Sequence, residues 1–561
     1  MRDGLRLAAA VVAGCLALAV PLAVADAGDP ATDYVRYPDA AVTTRHSVTI
    51  AGQRVDYIAT AGTIAMVKGE TADDHSASMF FIAYRKITGV KPGLEMRCRL
   101  ELGEEELERL GVVIQLGGDE EAARVDALLA AGVDPGDIFE MPDPRERPVS
   151  FSFNGGPGSS SVWLHLGVFG PKRVEHADEF GNPGAPPHRV IDNEFSLLDV
   201  SDWVFIDPVS TGFSRSEGDT SAKDFHGVRA DVRSVAEFIR RWLGDHGRWG
   251  SPKFIGGESY GTTRAAALSL ELQSRHGVAL NGVILVSAVL NFQTIRFNIG
   301  NDLPHWLFLP TFAATAHFHG QLEPAYQSRP VAEFLGEVER FAETEYLLAL
   351  AQGDALPDAD RRSIARRVAR YTGLTPEYVL DTNLRITMPR FPKELRRDEG
   401  ITVGRLDSRY VAADRDDAGE SYEFDPSYAA IQSIYTESLN DYVRRDLRFE
   451  SDLSYEILTS VWPWSYAGVG DNRYTNVADD LRETMQRVPS MRVFVASGYY
   501  DLATPYFATD YTFDHLMLRE DLRDNVEIEY YESGHMMYVH QPSLDKLSAD
   551  LRAFYGRSLQ D

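Results

Sequence analysis

The chain has 561 residues and 44% apolar residues, which is ordinary for a soluble globular protein with a sizeable core. Its length is compatible with two to four domains, or with one enzyme domain that carries a large insertion. The formal net charge of −28 argues against nucleic acid or an anionic membrane as a partner.

The first 25 residues have the pattern of a secretion signal. Arg2 and Arg6 precede an apolar run that ends at Ala23-Val24-Ala25, a small-residue cleavage site. An uncleaved anchor is one alternative, and a lipoprotein attached through Cys15 is another, which the apolar segment after Cys15 disfavours. No later stretch is long and apolar enough to span a bilayer. We therefore expect cleavage of residues 1–25 and no stable membrane insertion afterwards.

Cysteine usage bears on the compartment. Cleavage leaves Cys98 as the only cysteine, so no internal disulfide forms. The chain also contains no Asn-x-Ser/Thr glycosylation sequon. Export without disulfides or sequons indicates a bacterial periplasmic or secreted protein.

The first part of the mature chain is expected to be β-rich. Residues 26–45 are predicted to be irregular, and residues 46–86 contain runs typical of strands. Residues 88–146 are charged and helix-prone, notably 104–110 and 120–131. We interpret 88–146 as a surface insertion between two strands.

Strands and helices then alternate from residue 148 to about 295. Apolar residues at helical spacing between Val228 and Trp242 predict a helix. Alternation of strands and helices favours a mostly parallel sheet with helices on both faces. The predicted strands lie at 149–153, 203–206, 253–255 and 282–286.

A block of consecutive helices interrupts this alternation, and such a block would form a lid over a site. Strands resume at 492–497 and 526–531, followed by a terminal helix. The predicted helices of the block lie at 333–350, 361–371 and 428–447. The chain is thus predicted to comprise a signal peptide (1–25), the first part of an α/β core (26–295), a mainly helical lid (296–480) and the second part of the core (481–561).

Gly257-Glu258-Ser259-Tyr260-Gly261 matches the G-x-S-x-G pattern of a nucleophile elbow. This pattern places a serine on a sharp turn between a strand and a helix, and small neighbours are needed because the turn is tight. A predicted strand precedes the motif and a predicted helix follows from Thr262. The context favours an α/β-hydrolase fold with Ser259 as nucleophile over a purely structural turn.

An elbow serine requires an acid and then a histidine later in the chain. Asp501 and His535 each follow a predicted strand, in that order. A turn aspartate and an ordinary histidine are the alternatives. In the catalytic interpretation, His535 accepts the proton of Ser259 and Asp501 orients the imidazole. The amide of Tyr260 is the natural first oxyanion donor, and the loop 154–158 should supply the second.

Three motifs together resemble the serine carboxypeptidase family. They are Asn-Gly-Gly-Pro-Gly-Ser-Ser-Ser at 154–161, Gly-Glu-Ser-Tyr-Gly at 257–261 and Gly-His-Met at 534–536. His535-Met536-Met537-Tyr538 is most similar to the bacterial members. The resemblance implies that Gly156 is the second oxyanion donor. It also implies that Asn154, Gly155 and Glu258 bind the terminal carboxylate of a peptide, with Met536 bordering the adjacent pocket.

Glu258 beside a substrate carboxylate would place two like charges in contact. One of the two must then be protonated, and the shared proton gives a strong hydrogen bond. Ionisation of Glu258 should weaken this binding. We therefore expect an acidic pH optimum for peptide substrates.

Three positions depart from the family pattern. Ser152 stands where relatives often carry tryptophan, Val168 where they often carry a second carboxyl, and Ser159 where many carry cysteine. The first two bear on carboxylate recognition and leave the triad intact. His317 and His319 are two residues apart with no third ligand evident, so we expect no metal and no cofactor.

The sequence therefore predicts a serine carboxypeptidase that acts on peptides through an acyl-enzyme on Ser259. An esterase or acyltransferase with the same triad is the first alternative, and a catalytically inactive peptide-binding protein is the second. The sequence does not predict the oligomeric state or the preferred side chains of the substrate.

Overall fold

The computed structural model describes residues 41–67, 75–92, 120–469 and 473–560. The predicted signal peptide, Cys98 and the predicted helix at 104–110 lie outside the described residues. No helix among the described residues has the length and apolar character needed to cross a membrane.

A single large sheet forms the centre of the protein. Its nine principal strands are β1 (Val42–Ile50), β2 (Gln53–Val67), β3 (His75–Lys86), β4 (Val149–Phe153), β5 (Asp202–Ile206), β6 (Lys253–Glu258), β7 (Gly282–Val286), β8 (Arg492–Gly498) and β9 (Val526–Tyr531). Their spatial order is β1-β2-β3-β5-β4-β6-β7-β8-β9, and the short strand Arg215–Ser216 pairs with β3.

The strand directions identify the fold. β5, β4, β6, β7, β8 and β9 run parallel to one another. β1, β2 and β3 are joined by antiparallel pairings, and β3 is antiparallel to β5. The exchange of β4 and β5 beside an antiparallel strand, followed by a parallel run to the sheet edge, is the α/β-hydrolase arrangement. The predicted fold class, with a mostly parallel sheet, is confirmed.

Helices cover both faces of this sheet. In β7, Val283 and Leu285 belong to one buried cluster, whereas Ile284 and Val286 belong to another, as expected when successive side chains of a strand point to opposite faces. The first cluster contains residues of α1 (Val228–Asp245), α2 (Tyr260–His276) and α4 (Ala478–Arg487), and the second those of α3 (Pro426–Arg445) and α5 (Gln541–Ser558).

The start of the sheet differs from expectation. Residues 42–45, predicted to be irregular, belong to β1, which pairs antiparallel with β2 through a turn at Ala51-Gly52. The hairpin gives these residues backbone partners that their composition does not reveal. The predicted strands at 149–153, 203–206, 253–255, 282–286, 492–497 and 526–531 are confirmed, with small differences at their ends.

Between β7 and β8 lies a succession of helices that bury a third apolar cluster. This cluster also contains Tyr500 and Leu502, so the helices pack on the loop that follows β8. By contrast, α3, which falls within the predicted lid range, packs into the second cluster under the sheet. The helices of this segment before α3 are Leu303–Leu307, Leu309–Phe318, Pro324–Gln327, Val331–Phe341, the π-helix Ala342–Tyr346, Leu347–Gln352, the 3-10 helix Gly353–Ala355, Asp358–Thr372, Pro376–Asp381, Phe391–Glu394 and the 3-10 helix Arg397–Glu399.

The described part of the 88–146 segment packs beside the sheet. Its helix Glu120–Ala130 and the short strand pair Gly89–Val90 and Phe139–Glu140 share a small buried cluster with Ile58 and Ile87. Other short elements are Pro135–Ile138, Val162–Leu164, the π-helix His165–Phe169, Lys172–Val174 paired with Val190–Asp192, Ala222–Phe225, Phe292–Ile295, Thr402–Val403 paired with Val411–Ala412, Tyr506–Asp514, Glu520–Arg523 and Met537–Val539.

Candidate active site

Ser259 is the only residue between β6 and α2. Its backbone has φ 59° and ψ −128°, a conformation that non-glycine residues rarely adopt and that a nucleophile elbow imposes. The two glycines of the motif are required by space, because a Cβ on Gly257 would lie 2.2 Å from the carbonyl oxygen of Gly261. Glu258 and Tyr260 are buried, whereas Ser259 is partly exposed and accessible to a substrate.

The loop after β4 lies directly on this elbow. A Cβ on Gly155 would lie 2.5 Å from the amide nitrogen of Tyr260, so only glycine permits this approach. Gly156 is exposed and has φ +100°. Neither the Gly156 amide nor the Tyr260 amide donates a hydrogen bond to a described residue. Both are therefore available to a developing oxyanion, the pair predicted from the sequence.

His535 and Asp501 form a buried hydrogen-bonded pair. Nδ1 of His535 lies 2.6 Å from Oδ2 of Asp501, which leaves Nε2 as the ring nitrogen available for a proton from a nucleophile. Asp501 also accepts hydrogen bonds from the amides of Ala503 and Thr504 and from the Thr504 hydroxyl. Thr504 is not predicted from the sequence, although its position three residues after an aspartate is a known pattern for such turns.

The end of β7 is hydrogen-bonded to both the nucleophile elbow and the loop that carries His535. The amide of Ser259 donates to the carbonyl of Val286 at 3.0 Å, and the hydroxyl of Ser287 donates to the carbonyl of His535 at 2.6 Å. Ser259 and His535 are thus fastened to consecutive residues at the end of β7. In this structure no hydrogen bond joins the Ser259 hydroxyl to the imidazole among the described residues, an interaction that often tightens only with substrate.

The charge of Asp501 governs the basicity of His535. Burial lowers the pKa of His535, but the charge and hydrogen bond of Asp501 outweigh this effect and raise the pKa above its ordinary value. The imidazole is therefore a stronger base than a free histidine, as a group that accepts a serine proton requires.

Glu258 points away from the solvent into a polar contact. Asn154 donates through Nδ2 to Glu258 Oε1 at 3.1 Å, and Tyr538 donates through its hydroxyl to Oε2 at 2.5 Å. Burial raises the pKa of Glu258 to about 7, against the opposing effects of His535 and of these two donors. Glu258 therefore exchanges its proton near neutral pH.

Asn154 is itself held in one orientation. The amide of Leu164 donates to Asn154 Oδ1 at 3.1 Å, so the Nδ2 group faces Glu258. Beneath the loop, the buried Arg264 donates to the carbonyl of Asn154 and pairs with Asp231 at 2.8 Å. The sequence analysis did not single out Arg264, which looks like an ordinary helix residue.

The other residues singled out in the sequence are buried or have structural partners. Met536 is buried in the second core cluster and its contact with a substrate pocket stays a prediction. Val168 is fully buried, and the hydroxyl of Ser152 is buried without a partner among the described residues. Ser159 accepts a hydrogen bond from the indole of Trp163 at 2.7 Å, which gives this hydroxyl a structural role.

A segment from the end of the helical block borders the oxyanion loop. The amide of Thr459 donates to the carbonyl of Gly158 at 2.9 Å, and Leu458 Cδ1 would lie 3.5 Å from a Cβ on Gly156. Trp464 is buried against Tyr260, whereas Trp462 is 76% exposed. Leu458 and Thr459 thus lie beside the loop that carries the predicted oxyanion donor Gly156.

No group of three or more His, Cys, Asp and Glu side chains within the described ranges is arranged to hold a metal ion. His317 and His319 instead contact the backbone carbonyls of Arg329 and Ser408.

Comparison with known proteins agrees with the motifs. Residues 138–299 match the sequence profile of the family described as serine carboxypeptidase. This segment resembles the serine carboxypeptidase family. It contains Asn154 and Ser259 but ends before Asp501 and His535, whose assignment rests on their geometry.

Curated relatives of this family match over part of their length. Serine carboxypeptidase-like 7 of Arabidopsis thaliana is 33% identical over 120 residues, 21% of this chain and 26% of that protein. Serine carboxypeptidase-like 13 of the same plant is 28% identical over 155 residues, 27% of this chain and 35% of that protein. The chain thus spans about a quarter to a third of the length of these relatives.

Solved structures are similar at low identity. One is Kex1(delta)p, a prohormone-processing carboxypeptidase from Saccharomyces cerevisiae. The match covers 90% of this chain and 91% of that chain, with a TM-score of 0.47 and 14% sequence identity. A thermophilic esterase from Thermogutta terrifontis covers 73% of this chain and 90% of its own, with a TM-score of 0.30 and 12% identity.

Proposed function

We propose that this protein is a serine carboxypeptidase that releases C-terminal residues from peptides. One observation carries the proposal. Ser259 and His535 are hydrogen-bonded to the consecutive residues Val286 and Ser287 at the end of β7, and His535 is paired with Asp501. The carboxyl of Glu258, one residue before the nucleophile, adds a group suited to recognition of a free carboxyl terminus.

The chemistry follows from the positions of these atoms. The hydroxyl oxygen of Ser259 bonds to the scissile carbonyl carbon while its proton passes to Nε2 of His535. The negative charge that develops on the carbonyl oxygen is met by the amides of Gly156 and Tyr260. His535 then gives its proton to the departing amine, the C–N bond breaks, and water hydrolyses the acyl-enzyme by the same route.

Recognition of the substrate terminus is assigned to Asn154 and Glu258. A protonated Glu258 donates to the peptide carboxylate, whereas an ionised Glu258 repels it. Because the pKa of Glu258 is raised to about 7, the protonated form dominates at acidic pH. Protonation of His535, whose pKa is also raised, lowers the rate at still lower pH, so we propose a mildly acidic optimum for peptides. We also propose Gly155 and Met536 as further substrate-binding residues.

Export is part of the proposal. The basic start, apolar run and small-residue site of residues 1–25 support cleavage of a signal peptide and a periplasmic or secreted location. Peptides outside the cytoplasm are then the partners, with no nucleic acid involved.

A pair of matched substrates tests the function. The protein is incubated with a blocked dipeptide acid and with the corresponding C-terminal amide, and products are identified by mass spectrometry. The acid should be cleaved with a kcat/KM about tenfold or more above that of the amide, because a hydrogen bond to a charged group contributes about 1.5–3 kcal/mol. Equal cleavage of the two would instead support an esterase or acyltransferase.

Covalent labelling separates catalysis from mere peptide binding. A fluorophosphonate should modify Ser259 in the folded protein and should not modify the Ser259→Ala variant. Absence of an adduct on the folded protein, together with binding of peptides, would support a catalytically inactive peptide-binding protein.

A further inference from the structure

Tyr538 makes a contact that the proposed reaction does not use. Its hydroxyl donates to Glu258 Oε2 at 2.5 Å, and its side chain is 2% exposed. The residue lies in the short helix Met537–Val539, three positions after His535. The C-terminal loop that carries the catalytic base therefore also reaches the residue before the nucleophile.

A glycine creates the space for this ring. A Cβ on Gly167, in the π-helix His165–Phe169, would lie 2.3 Å from the Tyr538 ring, so any larger residue there would displace it. Burial raises the pKa of Tyr538 well above its ordinary value. The phenol therefore keeps its proton over the working pH range and acts towards Glu258 as a donor.

Four other described residues act on Glu258: Asn154, His535, Asp501 and Tyr435. Asn154 is the second donor to its carboxyl group. His535 lowers the pKa of Glu258 and Asp501 raises it, whereas Tyr435 of α3 is a neutral neighbour whose buried hydroxyl has no partner among the described residues. Tyr538 is thus one of two neutral donors that stabilise the ionised form.

We propose that Tyr538 is a positioning residue for Glu258, whose hydrogen bond holds the carboxyl group in place and sets the pH at which the protein stops binding peptide carboxylates. The part that concerns peptides rests on the proposed carboxypeptidase function. Donation to the ionised carboxyl favours ionisation. Loss of the hydroxyl should therefore extend carboxylate binding to higher pH, the opposite of what general damage to the site would do.

The protonation of Glu258 is measured first without substrate. The carboxyl C=O band is followed by infrared difference spectroscopy across pH 4–10 and assigned by its loss in Glu258→Gln. In Tyr538→Phe the midpoint should rise by about one pH unit, the size expected for one hydrogen bond to a charged group. Tyr531→Phe is the matched control, because the Tyr531 hydroxyl donates to Asp550 and not to Glu258. It should leave the midpoint unchanged.

A second variant covers the case in which Tyr538→Phe does not fold. Replacement of Tyr538 by 3,5-difluorotyrosine keeps the shape and makes the hydroxyl a stronger donor, so the midpoint should fall. If the midpoint of Glu258 protonation is unchanged or moves in the opposite direction in either variant, the proposed role of Tyr538 is wrong.

A kinetic measurement then distinguishes this inference from the proposed function. The ratio of kcat/KM for a peptide acid to that for a blocked ester is followed with pH, and its midpoint should rise in Tyr538→Phe with the infrared midpoint. If the infrared midpoint moves but the wild-type protein shows no preference for the free acid, the carboxypeptidase function fails while the control of Glu258 by Tyr538 stands. If the acid preference is present but neither midpoint moves, the inference about Tyr538 fails alone.

Discussion

Gly534 and Asp407 are in direct contact, although 127 residues separate them. The amide of Gly534 donates to Asp407 Oδ2 at 3.0 Å, and a Cβ on Gly534 would lie 2.4 Å from the Cβ of Asp407. The adjacent backbone makes two further bonds, from the amide of His535 to the carbonyl of Leu406 and from Leu502 to Arg405. The segment 405–407 therefore holds both the histidine loop and the aspartate loop.

The first prediction concerns this contact. Gly534→Ala should lower kcat/KM by about 10²-fold, because a displacement of about 1 Å at a reacting group can cost that much. The new Cβ meets the Asp407 side chain next to its backbone attachment, so the loop that bears His535 must move. Steady-state kinetics with a peptide acid and a blocked ester should show the same loss for both substrates.

Gly556→Ala serves as its control, since a Cβ at this position in α5 meets no atom within 4 Å. We expect unchanged kinetics and slightly higher stability, because alanine favours a helix over glycine. A fully active Gly534→Ala would show that segment 405–407 does not position His535.

The sequence could predict the strands and the elbow because their signals are local. β6, Ser259 and α2 follow one another directly in the chain, so the elbow motif is visible in consecutive residues. The sheet strands are short apolar runs with turns between them. The contacts of Asp407 and Tyr538 are different in kind. They join segments that are far apart in the chain. Neither the periodicity of apolar residues nor the spacing of motifs predicts which distant residues make contact.

Helix α3 illustrates the same limit for the fold. The sequence predicts a helix at 428–447, and its apolar residues Ile434, Leu439 and Val443 are buried on one face. An apolar stripe shows that a helix buries one face. It does not show which surface of the protein that face packs against. The sequence placed α3 within the lid range, whereas its stripe packs into the cluster under the sheet.

The second prediction is a pH dependence of substrate choice. The ratio of kcat/KM for a peptide acid to that for a blocked ester should be high at pH 5 and fall as the pH rises through about 7, where Glu258 ionises. Both substrates need neutral His535, so the ratio removes its contribution. In Glu258→Gln the ratio should no longer change with pH. A ratio that increases from pH 5 to pH 8 would contradict carboxylate recognition by Glu258.

The third prediction concerns the ion pair beneath the oxyanion loop. Arg264→Met should destabilise the protein by about 3–5 kcal/mol, because it leaves Asp231 buried without its cation. The double variant Arg264→Met/Asp231→Asn removes the unpaired charge and should recover part of this loss. Urea unfolding midpoints of the two variants test the difference, and equal midpoints would show that the buried charge of Asp231 is not the cause.

The fourth prediction is a stability change with pH that originates away from the site. Burial and the nearby charges of Glu339, Asp514 and Glu343 raise the pKa of Asp510 to about 7, against the hydrogen bond from Tyr530. Folding therefore favours the neutral form. The stability that this provides is complete below the unfolded pKa near 4 and is lost as the pH rises through about 7.

Asp510→Asn keeps an acceptor for Tyr530 but cannot ionise. The variant should match the wild-type Tm at pH 4 and exceed it at pH 8 by several degrees, because the pKa shift corresponds to about 4 kcal/mol. About 1 kcal/mol shifts Tm by roughly 2–4 °C in a domain of 150–250 residues and by less in a longer chain. Asp521→Asn, at an exposed position, should follow the wild-type curve at every pH. Glu339 belongs to the helix Val331–Phe341 and Asp510 to Tyr506–Asp514. A higher Tm at pH 8 would therefore show that ionisation of Asp510 weakens the contact between these helices, through its burial and through the charge of Glu339. A Tm at pH 8 equal to or below that of the wild type would show that the charge of Asp510 does not weaken this contact.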